Sequence, residues 1–168
     1  MKRFRLLRLA ALALSTGLLL ACSQTPTAPD VQFTTIKGEQ GRLSQLRGKV
    51  VLVNFWATSC SGCVAEMPKM VETYQKYHGK GYEMVAMAMS YDRPDYVMNF
   101  AQTRQLPFKV TLDTDGKLVE AFSAQFGQVM ATPTTFLIGK DGRLLQKYVG
   151  EPDFAAMHQL IEQELQRS

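Results

Sequence analysis

The chain has 168 residues, 46% hydrophobic and 20% charged, enough for one packed domain plus a short leader. Its net charge of +4 is carried by Lys2, Arg3, Arg5 and Arg8, and beyond them 15 basic residues balance 15 acidic ones. A balanced body projects no global basic field, which removes the electrostatic argument for nucleic acid as a partner.

Residues 1–21 read as an export signal. The basic start is followed by the apolar run Leu6 to Leu20, short for a membrane-spanning helix and closed by small residues. Leu19-Leu-Ala-Cys22 resembles the lipobox of bacterial lipoproteins. That resemblance implies Cys22 as the lipid-modified first residue of an exported chain anchored in a membrane. An uncleaved signal anchor, or cleavage nearby that leaves Cys22 free, is the alternative reading, but an unpaired thiol in an exported chain then lacks a use. Ser23 stands where Asp would hold a Gram-negative lipoprotein back, so onward transfer to the outer membrane is implied. Residues 22–30 are polar and contain prolines, and are expected to form a lipid-anchored flexible tether. The domain proper is expected over residues 31–168.

Val31 to Ile36 and Arg42-Leu43, separated by Lys37-Gly-Glu-Gln-Gly41, predict a short hairpin. A helical turn over Ser44 to Arg47 follows, ended by Gly48. Val50 to Val53 is an unbroken apolar, mostly β-branched run, the pattern of a strand covered on both faces. Phe55 and Trp56 extend it. Thr58 and Ser59 are capping residue types just ahead of Cys60, so a helix is expected to start there. Its unpaired N–H groups and positive dipole end favour thiolate over thiol, which makes Cys60 the nucleophile. Cys63 lies three residues on, on the same helical face and within disulfide reach, as the more buried resolving thiol.

Other uses of this Cys-x-x-Cys pair fit less well. A structural disulfide enclosing two residues constrains little chain entropy. A zinc site needs about four ligands, whereas the chain holds three cysteines and two histidines, with Cys22 committed elsewhere. A c-type haem would need His after the second Cys, and Val64 stands there.

The helix is expected over Ser61 to Tyr77, with Val64, Met67, Val71 and Tyr74 as its apolar stripe and a kink at Pro68. His78-Gly79-Lys80-Gly81 ends it, with His78 solvated beside the negative dipole end. Glu83 to Met89 is the next central strand. Its Met84, Met87 and Met89 read as core filling rather than a copper surface. Pro94 opens a helix running to about Gln105, with Tyr96, Val97, Phe100 and Ala101 inward, followed by a strand over Lys109 to Leu112. Asp113-Thr-Asp-Gly116 lacks the further ligands of a calcium loop and reads as a turn capping a helix over Lys117 to Phe122. A second helical turn or a loop covers Ser123 to Gly127. Strands over Thr134 to Ile138 and Leu144 to Tyr148 are joined by Gly139-Lys-Asp-Gly142. A last helix, Asp153 to Gln166, is capped by Asp153 and buries Phe154, Met157, Ile161 and Leu165, with His158 on its surface.

Val53-Asn-Phe-Trp-Ala-Thr-Ser-Cys60-Ser-Gly-Cys63-Val-Ala-Glu66-Met-Pro68 resembles the active-site segment of thioredoxin-like proteins, and more narrowly of the membrane-tethered TlpA/ResA-like family. Leu112-Asp-Thr-Asp-Gly116 and Ala131-Thr-Pro133-Thr-Thr-Phe-Leu-Ile138 extend the likeness over Val31 to Leu165. The resemblance implies an α/β thioredoxin-like fold: a central mixed sheet flanked by helices, with an N-terminal β-hairpin and a central αβ insertion. It implies thiol-disulfide oxidoreductase activity with no cofactor or metal beyond the Cys60–Cys63 pair. Protein thiols and disulfides would be the substrates, an upstream membrane electron donor would recycle the pair, and a monomer would suffice. It puts a cis Pro133 across from the cysteines, with Thr132 offering backbone groups to an extended substrate and Trp56 counted among the substrate contacts. Where many thioredoxins carry a buried Asp, this chain has Asn54, which cannot titrate. Glu66 is the candidate to move the proton of Cys63 in its place, and an exposed first-turn acid is the alternative. Ser59 and Gly62 replace the Trp and Pro common in the family, and this leaves the redox direction open. A reductase serving exported proteins, as in cytochrome c maturation, leads over an oxidant or isomerase and over a non-enzymatic binding module.

Overall fold

In the computed structural model, which describes residues 25–167, a hairpin of β1 (Gln32–Thr34) and β2 (Gln40–Arg42) precedes the main sheet. Five strands form that sheet: β3 (Val50–Trp56), β4 (Tyr82–Ala88), β5 (Lys109–Leu112), β6 (Thr134–Ile138) and β7 (Leu144–Val149). Their spatial order is β5-β4-β3-β6-β7. The β3–β4 and β4–β5 pairs are parallel, and β3–β6 and β6–β7 are antiparallel. Four helices flank the sheet: α1 (Ser61–Tyr77), α2 (Pro94–Thr103), α3 (Lys117–Phe126) and α4 (Phe154–Gln166). The architecture is the expected thioredoxin-like one, with α2 and β5 as the αβ insertion between β4 and α3.

The two-residue period of β3 divides its side chains between two cores. Val50, Leu52 and Trp56 join Met67, Met70 and Tyr74 of α1 and Met157 and Ile161 of α4. Val51, Val53 and Phe55 face the other way, toward Phe122 of α3, Phe136 of β6 and Phe33 of the hairpin. Met84 and Met87 fill the two cores from opposite faces of β4. Part of each sheet edge is paired by a neighbouring segment, which shortens its row of unpaired backbone groups. The hairpin continues onto β5 through Thr35, which bridges to Thr111, and the Ile36 N–H donates to Val110 O at 2.9 Å.

At the other edge the structure corrects an expectation. The spacer read over residues 22–30 does not stay free at its C-terminal end. Ala28 N–H donates to Gly142 O, Leu144 N–H donates to Pro26 O, and Thr27 bridges to Arg143. Asp30 then accepts from Ser44 N–H and from Arg42. The outer edge of β7 has backbone groups to satisfy, and residues 26–28 meet those at its start, from Gly142 to Leu144. Cys22, Ser23 and the export signal lie outside the described residues.

Helix positions also shift. The buried stripe of α1 is Cys63, Glu66, Met67, Met70, Thr73, Tyr74 and Tyr77, while Val64 and Val71 are only half-buried. Pro68 is accommodated within one helical span. Tyr96 faces solvent rather than the core. His158 is not a free surface residue: its Nε2 lies 2.9 Å from Thr73 Oγ1 and its ring packs on Tyr77. Burial and the nearby Lys76 hold its pKa below the usual histidine value.

Candidate active site

The end of β3 delivers Trp56, and the chain turns at once. Cys60 N–H donates to Ala57 O at 3.2 Å, closing a tight turn whose last residue is also the N-cap of α1. The capping atom is the sulfur: Cys60 Sγ accepts from Cys63 N–H at 3.1 Å. Sequence reasoning gave the capping role to Thr58 or Ser59. The cysteine itself takes it, so the helix end is aimed at the sulfur, where it stabilises a thiolate. Cys60 and Cys63 form a disulfide with their Cα atoms 5.2 Å apart. Cys60 is partly exposed, whereas Cys63 is 0% exposed, the asymmetry expected of an attacking and a resolving thiol.

The second wall comes from the loop before β6. The Thr132–Pro133 bond is cis, and Thr132 O lies 3.4 Å from Cys60 Sγ. Pro133 is buried, and its Cδ is 3.8 Å from where a Cβ on Gly62 would sit. Residue 62 therefore packs against the loop facing it, and a side chain there fits without displacing it. Gly150 N–H holds Pro133 O at 2.8 Å from the far side. Met130, 84% exposed, and Tyr91, 61% exposed, stand as large apolar side chains on the surface of the loops that meet at Thr132.

Trp56 needs correction. It is 0% exposed and tilts against Phe100 with ring centroids 5.3 Å apart, so it offers a substrate no surface. Its role is to support the turn from below, because β3 points it into the core shared with α1 and α2.

Beneath the disulfide runs a buried polar chain. Asn54 Nδ2 donates to Glu66 Oε1 at 3.0 Å and to Thr135 Oγ1 at 2.9 Å. Glu66 lies one turn below Cys63 on α1 and is 0% exposed, so the alternative of an exposed first-turn acid is ruled out. Burial pushes its pKa up to about 7, against the opposing pull of the Asn54 hydrogen bond and with a smaller push from Glu151. Its Oε2 has no partner among the described residues, and a buried oxygen without a donor disfavours the charged form.

The sequence matches the Redoxin family over residues 24–161. The chain belongs to that family. It is 39% identical over 124 residues to the thiol-disulfide oxidoreductase ResA of a Bacillus cereus strain, covering 74% of this chain and 68% of that one. Its fold is similar to that of a thiol:disulfide interchange protein of the thioredoxin family from Chlorobium tepidum TLS, with a TM-score of 0.78 and 27% identity over 86% of this chain and 99% of that chain. It is also similar to the exposed lipoprotein thioredoxin of Streptococcus pneumoniae strain TIGR4, with a TM-score of 0.67 and 27% identity over 80% and 98% of the two chains.

Two parts of this Redoxin-family site escaped sequence reasoning. Thr135 sits directly across from Asn54 in the β3–β6 register, and the signal was a polar pair, Thr134-Thr135, inside a fully buried strand. The other part is the β4–α2 loop, read only as a connection. Its Asp92 is buried, and Tyr91 Oη lies 3.4 Å from Thr132 Oγ1. Beyond that Thr-Thr pair no pattern in the sequence marks these residues, because each acts across the chain on a segment far from its own.

Proposed function

We propose that this protein, a thiol-disulfide oxidoreductase, works in the reducing direction on disulfides of exported polypeptides, tethered to a membrane through lipid on Cys22. The observation that carries the proposal is the asymmetric pair: a partly exposed Cys60 sulfur at a helix N-terminus over a buried Cys63, with a buried carboxyl one turn below. In the reduced enzyme the Cys60 thiolate attacks one sulfur of a substrate disulfide. An S–S bond forms between enzyme and substrate, and the substrate's other sulfur leaves as a thiolate and takes a proton. Cys63 then gives its proton to the Glu66 carboxylate and attacks Cys60 Sγ. This expels the second substrate sulfur as a thiolate, which takes a proton from solvent, and leaves the Cys60–Cys63 disulfide, with two electrons transferred. A dithiol donor in the membrane restores the pair. Thr132 would offer its backbone to an extended substrate segment, and no organic cofactor or metal takes part. The lipid-anchor reading rests on Leu19-Leu-Ala-Cys22 and is supported by the lipoprotein relative from Streptococcus pneumoniae.

The decisive experiment uses two variants. Cys60→Ser should abolish insulin-disulfide reduction and form no adduct. Cys63→Ser should accumulate a mixed disulfide through Cys60, visible on a non-reducing gel and released by dithiothreitol. An active Cys60→Ser enzyme, or no adduct with Cys63→Ser, would sink the assignment of roles.

A further inference from the structure

The turn that carries the reactive sulfur is held from outside its own element. A tight turn over Ala57 to Cys60 satisfies Cys60 N–H internally, but it leaves the N–H of Thr58, its second residue, without a partner inside the turn. That N–H donates to Asp92 Oδ2 at 2.5 Å, and the Thr58 hydroxyl donates to Asp92 Oδ1 at 2.6 Å. The carboxylate thus grips one residue with both oxygens. It does so from a site only 8% exposed, where an unmet donor is costly. Asp92 is itself fixed to the end of β3: its N–H donates to Met89 O at 2.9 Å, and Met89 N–H donates to Trp56 O at 2.9 Å. The β4–α2 loop therefore closes a ring of hydrogen bonds around the segment that ends in Cys60.

We propose that Asp92 is a positioning residue of the redox site, which acts through Thr58 to hold Cys60 in the capping geometry that keeps its sulfur on the Cys63 N–H at the first turn of α1. The proposal extends the assignment of Cys60 as nucleophile. Stabilisation of a thiolate by a helix end falls off steeply with misalignment. A turn that can rock away from the helix loses part of it, even with both cysteines intact. Positioning and electrostatics predict opposite signs here. A carboxylate acting only as a nearby negative charge would raise the thiol pKa, so neutralising it would lower that pKa. A carboxylate acting as a clamp lowers the pKa, so losing the clamp raises it.

The test is the pH midpoint of iodoacetamide labelling at Cys60, read by peptide mass spectrometry on the reduced full-length chain. Thr58→Val keeps the side-chain shape and the Asp92 charge but removes the hydroxyl donor. Asp92→Asn turns an amide donor toward one of the two Thr58 donors, whichever way the amide lies. Each variant should move the midpoint upward and cut labelling at fixed pH by about threefold, because only the thiolate reacts. The double variant should be no worse than the more affected single, as for residues acting through one contact. An unmoved midpoint with a lowered melting temperature would overturn the proposal, since the contact would then serve only folding. A downward shift in Asp92→Asn would overturn it in favour of charge repulsion, and additive shifts would do so in favour of independent roles. Failure of the reductase reading would show in insulin turnover instead, leaving this titration unaffected.

Discussion

Glu66 is where burial and chemistry act against each other. A carboxylate at 0% exposure with one unpartnered oxygen is costly in the folded chain. The proton it retains relieves that cost and leaves it able to exchange a proton near neutral pH, as the proposed transfer from Cys63 requires. The linkage has a definite sign. The folded-state pKa is raised from 4.5 to about 7, so the folded form holds a proton that the unfolded form releases. This contribution to stability is fully present below the unfolded value and is lost as pH rises through about 7. Its size is on the order of 3 kcal/mol. Glu66→Gln should therefore gain stability over the native chain at pH 8 and little at pH 4.5, as read from urea midpoints. It should also slow resolution of the mixed disulfide by about tenfold or more. Equal pH slopes in the two proteins would remove the raised pKa, and an unchanged resolution rate would remove the catalytic role. Asn54 and Glu66 could be singled out from sequence because they bracket the cysteines. Their contact through Asn54 Nδ2 could not, because it depends on how α1 sits on β3.

At the scale of elements, the sequence was most legible where a local rule sets the outcome. Asp153 caps α4 by accepting from Ala155 and Ala156 N–H. The Asp113 turn caps α3 through Leu118 and Val119 N–H at 2.9 Å each. Pro94 opens α2. It was least legible where the deciding residue is distant. The helix read over Lys117 to Phe122, with a second helical turn or a loop after it, is one unbroken helix that ends at Phe126. Phe126 packs on Phe122 and Phe136 with centroids 5.8 and 5.4 Å apart. Lys147 of β7 sends its ammonium to the carbonyls of Phe126, Gly127 and Gln128 at 3.4, 3.0 and 3.0 Å. Phe126 O is an orphan acceptor at the negative end of the helix, the other two follow in the chain that leaves it, and a cation suits that end. Nothing near Phe122 in sequence announces this. The stripe of α1 was misread for a related reason. Thr73 and Tyr77 are drawn inward by His158 and Glu162 of α4, with Tyr77 Oη donating to Glu162 at 2.6 Å. Lys147→Met keeps the stem and removes the charged donor. It should destabilise the fold by about 2 kcal/mol in urea titrations. A loss within about 0.5 kcal/mol, the range of a plain surface change, would mean that water replaces the ammonium without penalty.

For the whole molecule, the cysteine pair and the sheet are one thermodynamic system. The candidate site was legible because Cys-x-x-Cys after a buried strand and Thr-Pro before another have few other uses. The redox direction was not legible, because it depends on how well the entire fold tolerates each state. Opposed terms meet at α1. The helix N-terminus and the Cys63 N–H favour a Cys60 thiolate and so the reduced form. Burial of Cys63 at 0% exposure, above a carboxyl that itself becomes charged as pH rises, disfavours a second anion there and so withholds from the reduced form any thiolate stabilisation at Cys63. A reductase requires the second set to prevail. The oxidised protein should then resist urea better than the reduced one, and the two measurements are tied together: each 30 mV by which folding lowers the potential corresponds to about 1.4 kcal/mol between the two stabilities. Equilibration with a glutathione or dithiothreitol buffer should give a potential of roughly −270 to −230 mV, the thioredoxin end of the range. A reduced form more stable than the oxidised one, with a potential near about −120 mV, would reverse the proposed direction and make the same site an electron acceptor.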